Sequence, residues 1–264
     1  MSTEAGTPDP AASHPSFIEY DQFILFGDSI TQGSCNQEKG FAFCPALQQD
    51  YIRRFDIINR GFSGYTSEQA LAILPCFFPP VQKAKVRLLT VFFGANDAVL
   101  PGFQQHVPID LYKDCLTKIL THPAVKAHPE TKLLLLTPPP VNEYQFDPTG
   151  PDPESFMRKA SVTKLYADTC RSVGDTLNVP VADIWTAFMN AVGWEDGKPL
   201  AGSRDAPVNE KLGGILSDGL HFNPPGYKIM YEVVTRAIRT NYPELAPENV
   251  PMNFPPWEIA PKKL

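Results

Sequence analysis

Five short apolar runs, at 23–26, 55–58, 86–93, 132–137 and 179–184, alternate along the chain with longer amphipathic stretches. Runs this brief and this rich in aromatic and β-branched residues read as strands buried on both faces. Their alternation with helix-length segments predicts a parallel sheet flanked by helices, an α/β architecture. The helices are expected at 41–54, 67–74, 109–122, 155–177 and 226–241. In the third of these, Ile109, Tyr112, Cys115, Leu116, Ile119 and Leu120 recur three and four apart, which gives one buried stripe and one wet face.

A chain of 264 residues can bury a full core as a single domain of this type. The expected organisation is a disordered leader over 1–20, one α/β domain over 21–242 and a proline-rich tail over 243–264, with Trp257 as the tail's packing anchor. Two further excursions, 138–153 and 193–214, are dense in proline or in glycine and charge, and read as rims around a site.

A net charge of -6 offers no basic surface for nucleic acid. The five cysteines, Cys35, Cys44, Cys76, Cys115 and Cys170, never form a Cys-x-x-Cys pair and read as free thiols, neither a disulfide framework nor a zinc site. No carboxylate and histidine cluster suggests a metal, and no Gly-x-Gly-x-x-Gly or Walker loop follows the first strand, so no cofactor is expected. The polar N-terminus lacks the basic start and apolar core of a secretory signal, and no apolar run reaches the roughly 20 residues needed to span a bilayer. Cytoplasmic location is the default expectation. The C-terminal Lys262-Lys263-Leu264 departs from the peroxisomal Ser-Lys-Leu signal by a Lys where Ser is required.

Chemistry concentrates where the apolar runs stop. In open α/β sheets the carboxyl ends of the strands converge on one rim. The first run ends at Gly27-Asp28-Ser29, which can present a hydroxyl there. A serine hydroxyl needs a base and an orienting acid to become a nucleophile, and Asp218-Gly219-Leu220-His221 supplies both from one loop. Oxyanion donors are available from the Ser29 and Gly64 backbone N–H groups and the Asn96 side chain. Ser63 is a rival nucleophile, because Gly61-Phe62-Ser63-Gly64-Tyr65 approaches the Gly-x-Ser-x-Gly elbow, but Tyr65 breaks that pattern. His106, His122 and His128 lack acids at suggestive spacing and read as surface or packing residues.

Phe26-Gly27-Asp28-Ser29-Ile30, Ser63-Gly64-Tyr65-Thr66, Gly94-Ala95-Asn96-Asp97 and Asp218-Gly219-Leu220-His221 stand in the order of the four blocks of the GDSL or SGNH hydrolases, which the chain resembles from about 23 to 242. The resemblance implies a three-layer, flavodoxin-like SGNH hydrolase fold with a five-stranded parallel sheet. It also implies serine-dependent ester hydrolysis, with Ser29, Asp218 and His221 catalytic and Ser29, Gly64 and Asn96 forming the oxyanion hole. The segments around Gln105-His106-Val107-Pro108 and Gly226-Tyr227-Lys228 are similar to those of the isoamyl acetate-hydrolysing esterases of fungi and their relatives, which implies short acetate esters as substrates.

Phe62, Tyr65, Val99, Phe103 and Phe222 adjoin the motifs and are expected to line an apolar substrate pocket. The partner expected is therefore a small-molecule ester, with the tail able to reach a second subunit in a homodimer. Two other functions stay open at this level: an acyltransferase or a carbohydrate or lipid acetylesterase using the same residues, and a non-catalytic flavodoxin-like binding module.

Overall fold

The computed structural model describes residues 19–146 and 157–260. The 1–18 part of the expected leader and Lys262-Lys263-Leu264 lie outside the described residues, as does much of the 138–153 excursion.

Five parallel strands form one sheet: β1 (Asp21–Gly27), β2 (Phe55–Gly61), β3 (Val86–Phe92), β4 (Lys132–Leu136) and β5 (Val181–Ala182). They lie in the order β2-β1-β3-β4-β5. The helices are α1 (Ser29–Gly33), α2 (Phe43–Asp50), α3 (Ser67–Phe77), α4 (Ile109–Leu120), α5 (Pro123–Lys126), α6 (Glu143–Phe146), α7 (Ala160–Leu177), α8 (Ile184–Ala191), α9 (Glu210–Ile215) and α10 (Pro224–Asn241). A short 3-10 turn, Pro243–Leu245, follows.

The period of two in a strand sorts the core into two halves. Phe23, Leu25, Leu88, Phe92, Leu134 and Leu136 point into a cluster with α2, α8 and α10. Ile24, Phe26, Leu89, Val91 and Leu135 point into another with α3, α4 and α7. The result is the three-layer α/β fold, and the central strands are apolar at nearly every position because both faces are covered.

The order 2-1-3-4-5 places a switch point at β1, where the chain leaves in opposite directions and a crevice opens at the carboxyl ends. Register brings Gly27 of β1 opposite both Gly61 of β2 and Phe92 of β3. The loops after these three strands therefore start side by side. Gly61 permits the approach of α1: a Cβ there would fall 2.0 Å from the backbone nitrogen of Gln32.

The tail departs from expectation. Trp257 is 82% exposed and anchors nothing. The tail is held instead by Leu245, which is fully buried and whose carbonyl accepts the Tyr51 hydroxyl at 2.7 Å. Farther on, Arg54 Nε donates to the Val250 carbonyl at 2.8 Å.

Candidate active site

Ser29 is the first residue of α1. Asp28 caps that helix, its Oδ1 accepting the Ile30 N–H at 2.9 Å. The end of the helix is latched by Asn59, whose amide donates to the Thr31 carbonyl at 2.8 Å, and by the Tyr227 hydroxyl, which donates to the Ile30 carbonyl at 2.9 Å. The hydroxyl of Ser29 is therefore carried on a short, fixed element at the sheet edge.

The opposing loop is built between α9 and α10. Leu216 and Phe222 form an antiparallel bridge across it, and the Ser217 N–H donates to the His221 carbonyl at 2.8 Å. Asn223 then caps α10, with Pro224 at its first position. Asp218 folds back within this loop, its Oδ1 accepting the N–H groups of Leu220 at 3.0 Å and His221 at 2.8 Å.

Across 192 residues of sequence, Ser29 Oγ and His221 Nε2 lie 2.8 Å apart. On the other side of the ring, His221 Nδ1 and Asp218 Oδ2 lie 2.7 Å apart. Burial works to raise the Asp218 carboxyl, but the hydrogen bonds from His221 and Leu220 prevail and hold it below the ordinary carboxylate value. Asp218 is thus anionic near neutrality and fixes the ring with Nδ1 protonated, leaving Nε2 to accept from the hydroxyl. Such a relay can turn a weak hydroxyl into a nucleophile.

Gly64 sits in the loop after β2, with φ +80, a conformation that a side chain disfavours. Gln105 fastens this loop, donating to the Gly64 carbonyl at 2.7 Å. Asn96, buried in the loop after β3, donates from Nδ2 to the Tyr65 carbonyl at 2.9 Å. Asp97 pins the same loop to α3 by accepting the N–H of Ser67 at 2.9 Å and its hydroxyl at 2.5 Å. Ser29, Gly64 and Asn96 thus come from the adjoining ends of β1, β2 and β3.

The expected pocket lining needs correction. A cavity of about 210 Å³ is bordered by Ser29, His221 and Phe222 together with Asn36, Phe41 and Tyr227. Val99 is fully buried and does not border this cavity. Phe62 and Tyr65 stack on each other at 5.3 Å and pack against the α3 side of the core. Adjacency to a motif in sequence misled for Val99, which the loop after β3 sends inward; Phe62 and Tyr65 stay partly exposed but do not border this cavity. Ser63 is exposed, and its backbone N–H donates to Gln32 Oε1 at 2.9 Å. The imidazole partner belongs to Ser29. His128 is a packing residue, with Nε2 2.8 Å from the Pro79 carbonyl.

Beneath the relay lie the buried carboxyls of Asp28 and Asp97 and the buried Arg158, the last of which sequence reading missed. Burial pushes the Asp28 carboxyl up to about 7 and that of Asp97 up to about 6. Arg158, 5% exposed, lies within electrostatic reach of both and of Asp218. Raised carboxyls mean that the folded protein keeps protons the unfolded chain has released. The stability they contribute is full below the unfolded value of 3.8 and, for Asp28, is lost as pH rises through about 7. Asp28→Asn retains an acceptor for Ile30 and removes this dependence. Its thermal stability relative to the parent is expected to improve from pH 5 to about pH 7, on the scale of roughly 1.4 kcal/mol per pH unit, and to level off above that. Melting curves across that range check this; a constant difference would contradict it.

Fold and site together define an α/β acylhydrolase. The chain belongs to the GDSL-like lipase/acylhydrolase family, whose profile matches residues 25–229, and it is a carboxylic ester hydrolase. A GDSL esterase/lipase of Arabidopsis thaliana is 32% identical over 246 residues, covering 89% of this chain and 91% of that protein. The isoamyl acetate-hydrolyzing esterase of Saccharomyces cerevisiae is 29% identical over 250 residues, covering 91% of this chain and 95% of that protein. The crystal structure of the lipase/acylhydrolase from Enterococcus faecalis shares the fold, with a TM-score of 0.57 at 24% identity over 83% of this chain and 96% of that one. Among the described residues no group of three His, Cys, Asp or Glu side chains could hold a metal ion, and no helix is long and apolar enough to cross a membrane.

Proposed function

We propose that the protein hydrolyses short-chain esters, of which isoamyl acetate is the type, through an acyl-enzyme on Ser29. The observation that carries this reading is the unbroken chain from Ser29 Oγ to His221 Nε2 at 2.8 Å and from His221 Nδ1 to Asp218 Oδ2 at 2.7 Å. His221 takes the hydroxyl proton as Oγ attacks the acyl carbon. The charge that forms on the carbonyl oxygen is met by the N–H groups of Ser29 and Gly64 and by Asn96 Nδ2. The Ser29 amide suits this role because, at the first position of a helix, it has no partner within the helix. His221 then passes its proton to the departing alcohol. Water repeats the sequence on the acyl carbon, with the same imidazole as base, and frees the acid.

Two observations support a small substrate. The cavity beside Ser29 and His221, at about 210 Å³, falls below the roughly 300–1,000 Å³ of pockets that take drug-sized ligands. The yeast relative, similar over most of both chains, bears the name of an isoamyl acetate-hydrolyzing esterase. A series of p-nitrophenyl esters tests the reading. The specificity constant kcat/KM is expected to be highest for acetate to butyrate and to fall at least about tenfold by the octanoate, since an acyl chain that cannot be buried forgoes roughly 0.8 kcal/mol per CH₂ and meets the cavity wall. A preference rising toward long chains would contradict it.

A further inference from the structure

Arg158 lies in the segment leading into α7, far from the strand ends in sequence, yet its guanidinium reaches the loop after β3. Nη1 donates to the Ala95 carbonyl and Nη2 donates to Asn96 Oδ1 at 3.3 Å. The Phe146 ring flanks it at 5.3 Å. Burying a guanidinium is costly unless its charge and donors are satisfied, so this placement calls for a reason.

The reason lies in the amide it holds. An asparagine side chain turned end for end exchanges a carbonyl oxygen for an NH₂ group. Asn96 is gripped at Oδ1 by a guanidinium, which has only donors, and at Nδ2 by the Tyr65 carbonyl, which only accepts. The reversed amide would set donor against donor and oxygen against oxygen. One orientation survives, and in it the second N–H of Nδ2 stays free.

We propose that Arg158 is a positioning residue for ester hydrolysis, locking the Asn96 amide so that its free N–H meets the oxyanion formed when Ser29 attacks. The assignment rests on the acyl-enzyme reading given above. Burial brings the guanidinium down only to about 10, so it stays charged at neutral pH and below, and the lock holds there. A preorganised donor is worth more than one that must be turned during the reaction.

Steady-state kinetics on p-nitrophenyl acetate with Arg158→Met, Arg158→Lys, Asn96→Ala, the Arg158→Met/Asn96→Ala double variant and Ser29→Ala test this. Arg158→Met is expected to lower kcat about 100-fold, the low end of the loss of one oxyanion donor. KM should stay nearly unchanged, because the contact matters only in the transition state. Arg158→Lys, which restores one donor toward Asn96 Oδ1, should recover much of that loss. In the Asn96→Ala background Arg158→Met should cost less than about two-fold, the tolerance for sites that no longer interact. Full activity in Arg158→Met, or the same loss in both backgrounds, would overturn the assignment. Should Arg158→Met lose its cooperative melting transition, Arg158→Gln, shorter and without the charge, takes its place in the cycle and is read in the same way. An active Ser29→Ala enzyme would instead strike the acyl-enzyme reading itself, so the two failures are distinct.

Discussion

Replacing Ser29 by Ala is expected to lower kcat for p-nitrophenyl acetate by about 10⁴- to 10⁶-fold, the range seen when a serine nucleophile is removed and only binding and oxyanion donors remain. The substitution removes a hydroxyl bonded to His221 while leaving the cap on Asp28 and the latches from Asn59 and Tyr227 in place. The variant should therefore fold as the parent does, with a melting temperature within a few degrees. A variant that keeps a tenth of the parental rate would mean that another group attacks the ester, and exposed Ser63 would be the first to examine.

His221→Ala is expected to cost nearly as much, again about 10⁴- to 10⁶-fold in kcat, because the hydroxyl then has no base and the leaving alcohol no acid. Its loop does not depend on the ring. Asp218 Oδ1 is held by two backbone N–H groups, and the Leu216–Phe222 bridge closes the loop from below. The loss should therefore be chemical, with KM little changed. The decisive feature is non-additivity: Ser29→Ala/His221→Ala should be no slower than either single variant, since the two side chains act as one device. Losses that multiply would show that they act independently.

The parts of this molecule legible in the sequence are those with redundant signals. β1, β3 and β4 announce themselves because a strand covered on both faces must be apolar at successive positions, as in Phe23-Ile24-Leu25-Phe26. α10 is equally plain, from Asn223 and Pro224 at its start to Val234 and Ile238 in its buried stripe; Met230, which completes the stripe, was not singled out, and Ile229, Val233 and Ala237, expected in it, are only partly buried. β5 was read too long. It is only Val181–Ala182, and the apolar Ile184 already belongs to α8, capped by Asp183 through its bond to the Thr186 N–H at 3.1 Å. The acidic cap was visible, but the apolar run overrode it. α1, with five residues, is too short to show any helical period.

At the site, Ser29, Asp218 and His221 were legible as motifs, and Gly64 and Asn96 through their place beside them. Arg158 was not. It follows a proline-rich stretch with no periodicity of its own, and its partners, Ala95 and Asn96, stand 63 and 62 positions away. Only the packing of α7 against α4 and β4 brings that segment to the rim. Phe222 borders the cavity beside Ser29 for a local reason: it follows His221 directly and closes the loop bridge. Val99 failed because the turn after Asn96 sends it into the core, where it is fully buried.

A serine-directed fluorophosphonate, followed by peptide mapping in a mass spectrometer, interrogates the activated hydroxyl without reference to any particular substrate. One adduct per chain is expected, on the peptide containing residue 29, formed rapidly in the parent and suppressed in His221→Ala. Stoichiometric labelling elsewhere, or full esterase activity in protein whose residue 29 is completely modified, would contradict the account.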